Sequence, residues 1–168
     1  GAFTSGELGL AGLSLHTAAG ERVAAYAPDG RDAIHLPPFL RDAVFSREGS
    51  ERFSVVDAFW ADRSGRPVLS IAAPVGGLML EGYLVLHLDA TQPLRTIDTI
   101  LNRPTRVLSV GGRTLVAPDT VALPGEAVTV PYTVTFENGR GEPFLALEVL
   151  SDLTRLTARV DAIRAESM

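Results

Sequence analysis

Residues 82–100, GYLVLHLDATQPLRTIDTI, are echoed by residues 143–163, PFLALEVLSDLTRLTARVDAI. Each stretch opens as an apolar run of strand length and changes period at an aspartate. Asp89, Asp98 and Ile100 match Asp152, Asp161 and Ile163 at one constant offset. In the strand part, Leu84, Leu86 and Leu88 share one face, and Tyr83, Val85 and His87 share the other. Asp89 or Thr91 then suits a helix N-cap and Pro93 its first turn, with Leu94, Ile97, Ile100 and Leu101 on one face. Pro104 ends that helix. In the later copy Asp152 caps a helix carrying Leu153, Leu156, Val160 and Ile163 on one face.

Upstream of each run lies a second echo. GLSLHTAAGERVAAYAPD at 12–29 is shortened to VLSVGGRTLVAPD at 107–119. Both read as hairpins, with a Gly-containing turn between two short alternations. Internal repetition of this kind implies two similar modules in tandem, or one module with a degenerate companion. The material between hairpin and final strand differs. In the first copy residues 31–51 form a long, Pro37-Pro38-marked connector with one short helix around Phe39 to Phe45. Phe53 to Ala61, a turn at Arg63 to Pro67, VLSIAAPV at 68–75 and Tyr83 to Asp89 follow as three antiparallel strands. In the second copy a short Pro/Gly loop, Pro118 to Gly125, precedes strands at Val128 to Phe136 and Phe144 to Leu150, joined by Asn138-Gly139-Arg140-Gly141. The fold class is α+β, with antiparallel sheets and packed helices. A soft boundary falls near Asn102 to Pro104.

Composition narrows the function. With 46% hydrophobic and 21% charged residues, 168 residues suffice for one medium domain or two small ones with a real core. A net charge of −5 without a Lys/Arg cluster argues against a nucleic-acid partner and gives no pull toward anionic lipid. The absence of cysteine excludes disulfides and thiolate chemistry and fits an oxidising compartment. No apolar run is long enough to cross a bilayer. The chain opens Gly-Ala-Phe without a signal peptide, as a piece of a longer protein would.

From Asp57 to Leu94, DAFWADRSGRPVLSIAAPVGGLMLEGYLVLHLDATQPL resembles the extracytoplasmic PAS-like sensor modules called Cache or PDC domains. Asp62, Gly65, Pro67, Ala73-Pro74-Val75 and Gly82 carry the likeness. The second copy resembles the reduced membrane-proximal module of double-Cache sensors. The resemblance implies tandem PAS-like modules: a membrane-distal sensor module at 1–103, a reduced proximal module at 104–151 and a signalling helix at 152–168. It also implies the periplasmic or otherwise extracytoplasmic part of a bacterial inner-membrane receptor, with a histidine kinase, cyclic-dinucleotide enzyme or chemotaxis transducer as output. Its partner would be a small-molecule ligand bound in the first module, and the resemblance leaves room for a homodimer. The long N-terminal helix usual in the family is missing or cut short.

The candidate ligand-binding residues are His87, Asp57, Trp60, Tyr83, Arg41, Phe59 and Asp89. By register from Gly82, His87 falls near the position where amino-acid-binding Cache domains place a carboxylate. That departure, and the lack of an Arg-x-Trp-Tyr run before the hairpin, speak against an amino-acid ligand. His87 would instead hydrogen-bond a carboxylate or polar ligand. The competing reading is a half-buried, hydrogen-bonded histidine beside an N-capping Asp89. Trp60 is a stacking platform or a core residue filling the space under the connector. Asp57, if it points inward, needs a partner, and Arg41 or a ligand cation is available. Arg41, Phe39, Phe45 and Tyr26 lie on segments that would cover a pocket. His16 and His35 have no neighbour at metal spacing, and His87 with Asp89 lacks a third ligand, so neither metal nor cofactor is expected. No Gly-x-Ser-x-Gly elbow, phosphate loop or paired carboxylates argue for catalysis. Two rivals stand beside the sensor: a ligand-free structural or dimerisation ectodomain, with Trp60, Phe53 and Phe59 filling the pocket, and a small α+β enzyme using His87 and Asp89.

Overall fold

The computed structural model describes residues 8–28, 30, 32–101, 103–117, 129–152 and 154–167. Two compact units divide the chain, Gly1–Pro93 and Leu94–Met168. Each contains one antiparallel sheet. Among the described residues no helix is long and apolar enough to cross a membrane.

In the first unit β1 (Gly9–Thr17) and β2 (Arg22–Tyr26) form a hairpin. The connector then carries α1 (Pro38–Phe45) and a 3-10 turn (Gly49–Phe53), so it holds two helical pieces where the sequence suggests one. β3 (Val56–Ala61), β4 (Pro67–Gly76) and β5 (Leu80–Asp89) follow as a meander. The expected strand from Phe53 begins only at Val56, because Phe53 closes the 3-10 turn. β5 returns to pair with β1, giving the order β2-β1-β5-β4-β3. VLSIAAPV and the last strand are neighbours throughout, from Val68 opposite Asp89 to Val75 opposite Gly82.

In the second unit α3 (Ile97–Leu101) leads into β6 (Thr105–Leu108) and β7 (Thr114–Val116). β8 (Thr129–Glu137), β9 (Pro143–Asp152) and α4 (Thr154–Glu166) complete it, with sheet order β7-β6-β9-β8. The order matches the first sheet with no counterpart of β3 among the described residues. The single helix expected after Asp89 is instead two short ones, α2 (Thr91–Arg95) and α3, and Ile100 on its supposed apolar face is exposed. Val160 and Ile163 of α4 are exposed as well. The loop 118–125, Leu153 and the side chains of Asp152 and Leu156 lie outside the described residues.

One turn design closes four of the hairpins. Thr17, Asp62, Ser109 and Asn138 each accept a bond from the backbone N–H four residues on, through the side chain: Glu21, Arg66, Arg113 and Glu142. The residue between, three positions on, is Gly20, Gly65, Gly112 or Gly141, all with positive φ, which a side-chain-bearing residue adopts only at a cost. Its N–H returns to the carbonyl of the first residue in every case. This is the three-residue hairpin loop with glycine in the left-handed position, which suits the right-handed twist of paired strands. An oxygen-bearing residue followed by glycine at the third position therefore sets four strand registers locally.

α1 begins at Pro38, where the missing N–H costs nothing, and buries Leu40 and Val44 one turn apart. Eight residues do not hold a helix in water. It is packing onto the sheet that holds this one: Leu36, Leu40 and Val44 join Val56, Trp60, Val68, Ala72, Tyr83 and Val85 in one core. At roughly 25 cal/mol per Å² of apolar surface, each fully buried aliphatic side chain contributes about 1.5–3 kcal/mol. The covered face of the sheet is thus the odd positions of β5 and the even positions of β3. The other face carries Leu13, Leu15, Leu69, Ile71, Leu84, Leu86 and Leu88 in cross-strand register, and Leu84 is 42% exposed.

Candidate functional site

A line of polar side chains crosses the covered face. Trp60 on β3 donates its Nε1–H to Ser70 Oγ on β4 at 2.8 Å. Ser70 Oγ stands 2.7 Å from His87 Nδ1 on β5, and His87 Nε2 stands 3.4 Å from Ser14 Oγ on β1. Ser14 Oγ is 2.9 Å from His16 Nε2, and His16 Nδ1 is 3.4 Å from the Gly20 carbonyl. With both imidazoles neutral, the carbonyl end sets the direction. Indole N–H only donates and a carbonyl only accepts. Ser70 therefore donates to His87 Nδ1, His87 Nε2–H to Ser14, Ser14 to His16 Nε2, and His16 Nδ1–H to Gly20. Each link accepts once and donates once, and this works only if both imidazoles are neutral.

Burial enforces that state. Ser70 and His87 are 1% exposed, and Ser14 and His16 are buried too. Burial pushes His87 down to about 4, with the neighbouring His16 adding to the effect. Burial likewise lowers His16; the Gly20 carbonyl opposes this, while Arg41 and Arg22 reinforce it. His87 is thus fully buried rather than half-buried, and both ring nitrogens are occupied by protein partners. Among the described residues no carboxylate hydrogen-bonds to Ser70 or His87, and both side chains are closed to solvent.

The sequence-predicted residues separate into two sets. His87, Trp60 and Tyr83 meet on the covered face. Asp57 and Phe59 alternate with buried Val56 and Trp60 and so lie on the opposite side of β3. Arg41 belongs to α1 on the covered side, where it donates to the Gly20 carbonyl at 3.3 Å and lies over the Phe45 ring. The expected pairing of Arg41 with Asp57 is therefore not made, because the sheet separates them. Asp89 accepts from the Thr91 N–H and sits 3.8 Å from Arg66, which makes it the cap of α2. Tyr83 donates to the Arg52 carbonyl at 2.9 Å and meets Phe45 edge-on, pinning the 3-10 turn to the sheet. Of the residues expected to fill a pocket, Trp60 is core, Phe59 is on the other face and Phe53 is half-exposed.

A cleft of about 500 Å³ opens beside this core, between connector residues 32–35 and the β3–β4 turn. Trp60 forms part of its wall with Ala33 and Ile34. Arg22, Asp32 and His35 border it from one side, and Asp62, Arg63, Ser64 and Arg66 from the other. Arg22 reaches the His35 ring at 3.5 Å. Burial pushes the Asp62 carboxyl up, but hydrogen bonds from Ser64 and Arg66 outweigh it and hold the group below its ordinary range. Among the described residues no three His, Asp or Glu side chains are placed to hold a metal ion.

Sequence reasoning missed Ser14, His16 and Ser70 as partners of His87, and missed Arg22, Asp32, His35 and Arg63 around the cleft. A signal for the first group existed: Ser14 and His16 alternate on a strand, and polar residues that share the buried face of a sheet must find one another.

No family model matches the chain, and no curated protein matches it. Solved structures similar to it include the extracellular domain of a protein described as a histidine kinase, at 13% identity and TM-score 0.47, covering 90% of this chain and 71% of that one. A domain of a sensory box/GGDEF family protein from Vibrio parahaemolyticus matches at 12% and 0.47, covering 88% and 74%. The ligand-binding domain of the Pseudomonas aeruginosa amino acid chemoreceptor PctC, in complex with GABA, matches at 14% and 0.48, covering 85% and 75%. At such identities and TM-scores the likeness transfers no ligand and no mechanism to this chain.

Proposed function

We propose that this chain is the ligand-sensing region of a bacterial transmembrane signalling protein, lying outside the cytoplasm, with a small molecule taken up by the first unit. In this reading the two units are tandem PAS-like modules, the second reduced, with no strand equivalent to β3 among the described residues, and α4 carries the signal onward. The observation that carries the reading is the cleft: a long connector held over a sheet by α1 leaves an open, polar-rimmed space against Trp60. Concave sites with an aromatic wall and a few convergent polar groups are the common form of small-molecule sites. A ligand signals only through unequal affinity for two conformations, and the connector and the turn that border the cleft are the elements it would touch.

Thermal unfolding of the 168-residue chain against a panel of carboxylates, amines and neutral organics tests this. A ligand stabilises by mass action, so a hit raises the midpoint in a concentration-dependent way. A panel without a single hit contradicts the reading.

The ligand-free structural alternative has its own support. Leu36, Leu40, Val44, Trp60 and Tyr83 fill the space directly beneath α1, so whatever binds does so beside this core. A flat thermal panel together with a concentration-dependent oligomer in sedimentation would favour that alternative.

A further inference from the structure

The two sheets differ at one edge. In the first unit β4 is paired on both sides, with β5 and with β3, the latter from Val56 opposite Ala72 to Ala61 opposite Pro67. β8 holds the matching place in the second sheet, beside β9, and among the described residues no strand pairs with its other side. Its nine residues thus present a row of backbone N–H and C=O groups of the kind that a further strand satisfies. The edge of β4 shows what fits there, an antiparallel strand. β7, at the opposite edge of the second sheet, has only three residues and offers no such template.

Of the devices that keep strand edges apart, β8 has one proline, Pro131, and neither lysine nor arginine; Glu137 at its end is its only charge. Tyr132 and Phe136 lie on one face of the strand and are 64% and 47% exposed. We infer that β8 docks a second copy of this chain, the two β8 strands pairing antiparallel about a two-fold axis at Val134. The strand is its own complement in that register. Tyr132 lies opposite the partner's Phe136, Thr133 opposite the partner's Thr135, and Val134 opposite its counterpart. Glu137 meets the partner's Pro131, so no carboxylate faces a carboxylate. Aromatic and threonine pairs directly opposed across strands are favourable, and like charges there are not. An axis at Thr133 or Thr135 would separate the two aromatic residues. The contact is isologous, so it closes at two copies. One strand pair falls short of the about 1,200 Å² of a standard interface, which makes the dimer a weak one. It goes beyond the small-molecule reading of the first unit and needs nothing from it.

Sedimentation velocity of the 168-residue chain from about 10 µM to about 1 mM should show monomer passing to dimer, as a weak interface requires. Phe136→Lys alters an exposed side chain, so it should move the melting midpoint by less than about 2 °C while weakening the dimer at least about tenfold. The chain has no cysteine, so single introduced ones report position cleanly. Val134→Cys sets two thiols across the axis, at the about 4.5–5.5 Å Cα separation of directly opposed residues, which a disulfide can span. Tyr132→Cys is the control, at a more exposed position but about 14 Å from its counterpart along the paired strands. Under air oxidation at equal concentration, Val134→Cys should cross-link at least about tenfold faster than Tyr132→Cys. A chain that stays monomeric at the highest concentration overturns the inference and leaves the edge to another strand. So does a dimer that Phe136→Lys leaves intact, or a Tyr132→Cys chain that cross-links as fast as Val134→Cys.

Discussion

Ser70 Oγ and His87 Nδ1 stand 2.7 Å apart on paired positions of β4 and β5, both sealed from solvent. Ser70 is the acceptor that the Trp60 N–H needs and the donor that His87 needs. Ser70→Ala removes both functions at once and leaves two buried polar atoms without partners. The expected cost is about 1–3 kcal/mol, read from urea denaturation. A loss below about 0.5 kcal/mol would mean that the chain of hydrogen bonds is not formed.

The same chain makes stability fall in acid. Folded His87 titrates at about 4, whereas its ordinary value is 6.5. Between those values the unfolded chain binds more protons than the folded one, so stability rises with pH across that window. The contribution is complete above pH 6.5, declines as pH drops and is fully lost near pH 4, for a total of about 3 kcal/mol. Denaturation midpoints measured from pH 7.5 to 4 should show this slope, and His87→Gln should flatten it. An unchanged slope in that variant would contradict the assignment.

Gly82, paired with Thr17, lies close against the backbone of β1. A Cβ placed there would run into the His16 carbonyl oxygen, which belongs to the backbone and cannot swing aside. Gly82→Ala should therefore cost at least about 2 kcal/mol through forced displacement of β1. Gly139→Ala, where a Cβ meets nothing, is the control and should cost less than about 1 kcal/mol. Equal melting temperatures for the two variants would refute the close packing.

Tyr83→Phe deletes the hydroxyl that holds the Arg52 carbonyl and leaves the ring against Phe45. A loss of about 1 kcal/mol is expected. Hydrogen exchange should speed up in residues 49–55 more than in the sheet. Acceleration spread evenly over the sheet would show that the bond is not a local tether.

The strands were legible because their signals are local. Short alternating runs, the Asp-x-x-Gly and Asn-x-x-Gly turns and the Asp89 cap are each set by residues within five positions of one another. The faces were not legible. Both sides of β4 and β5 are apolar, so alternation separates two sets without saying which is inside. The buried set turned out to hold the serines and histidines, because partners such as Ser14 and His87, 73 residues apart, satisfy each other only after the sheet closes. The cleft was hidden for a similar reason. Arg63 reads as turn chemistry and Arg22 as an exposed strand residue until the connector brings residues 32–35 between them.

The account depends most on small-molecule binding against Trp60. The direct measurement is Trp60 emission during titration with whichever compound raises the thermal midpoint. A saturable change should give the same dissociation constant as the thermal shift, and Trp60→Phe should abolish the optical signal. A compound that stabilises the chain while Trp60 emission stays constant would place binding elsewhere and contradict the assignment of the cleft.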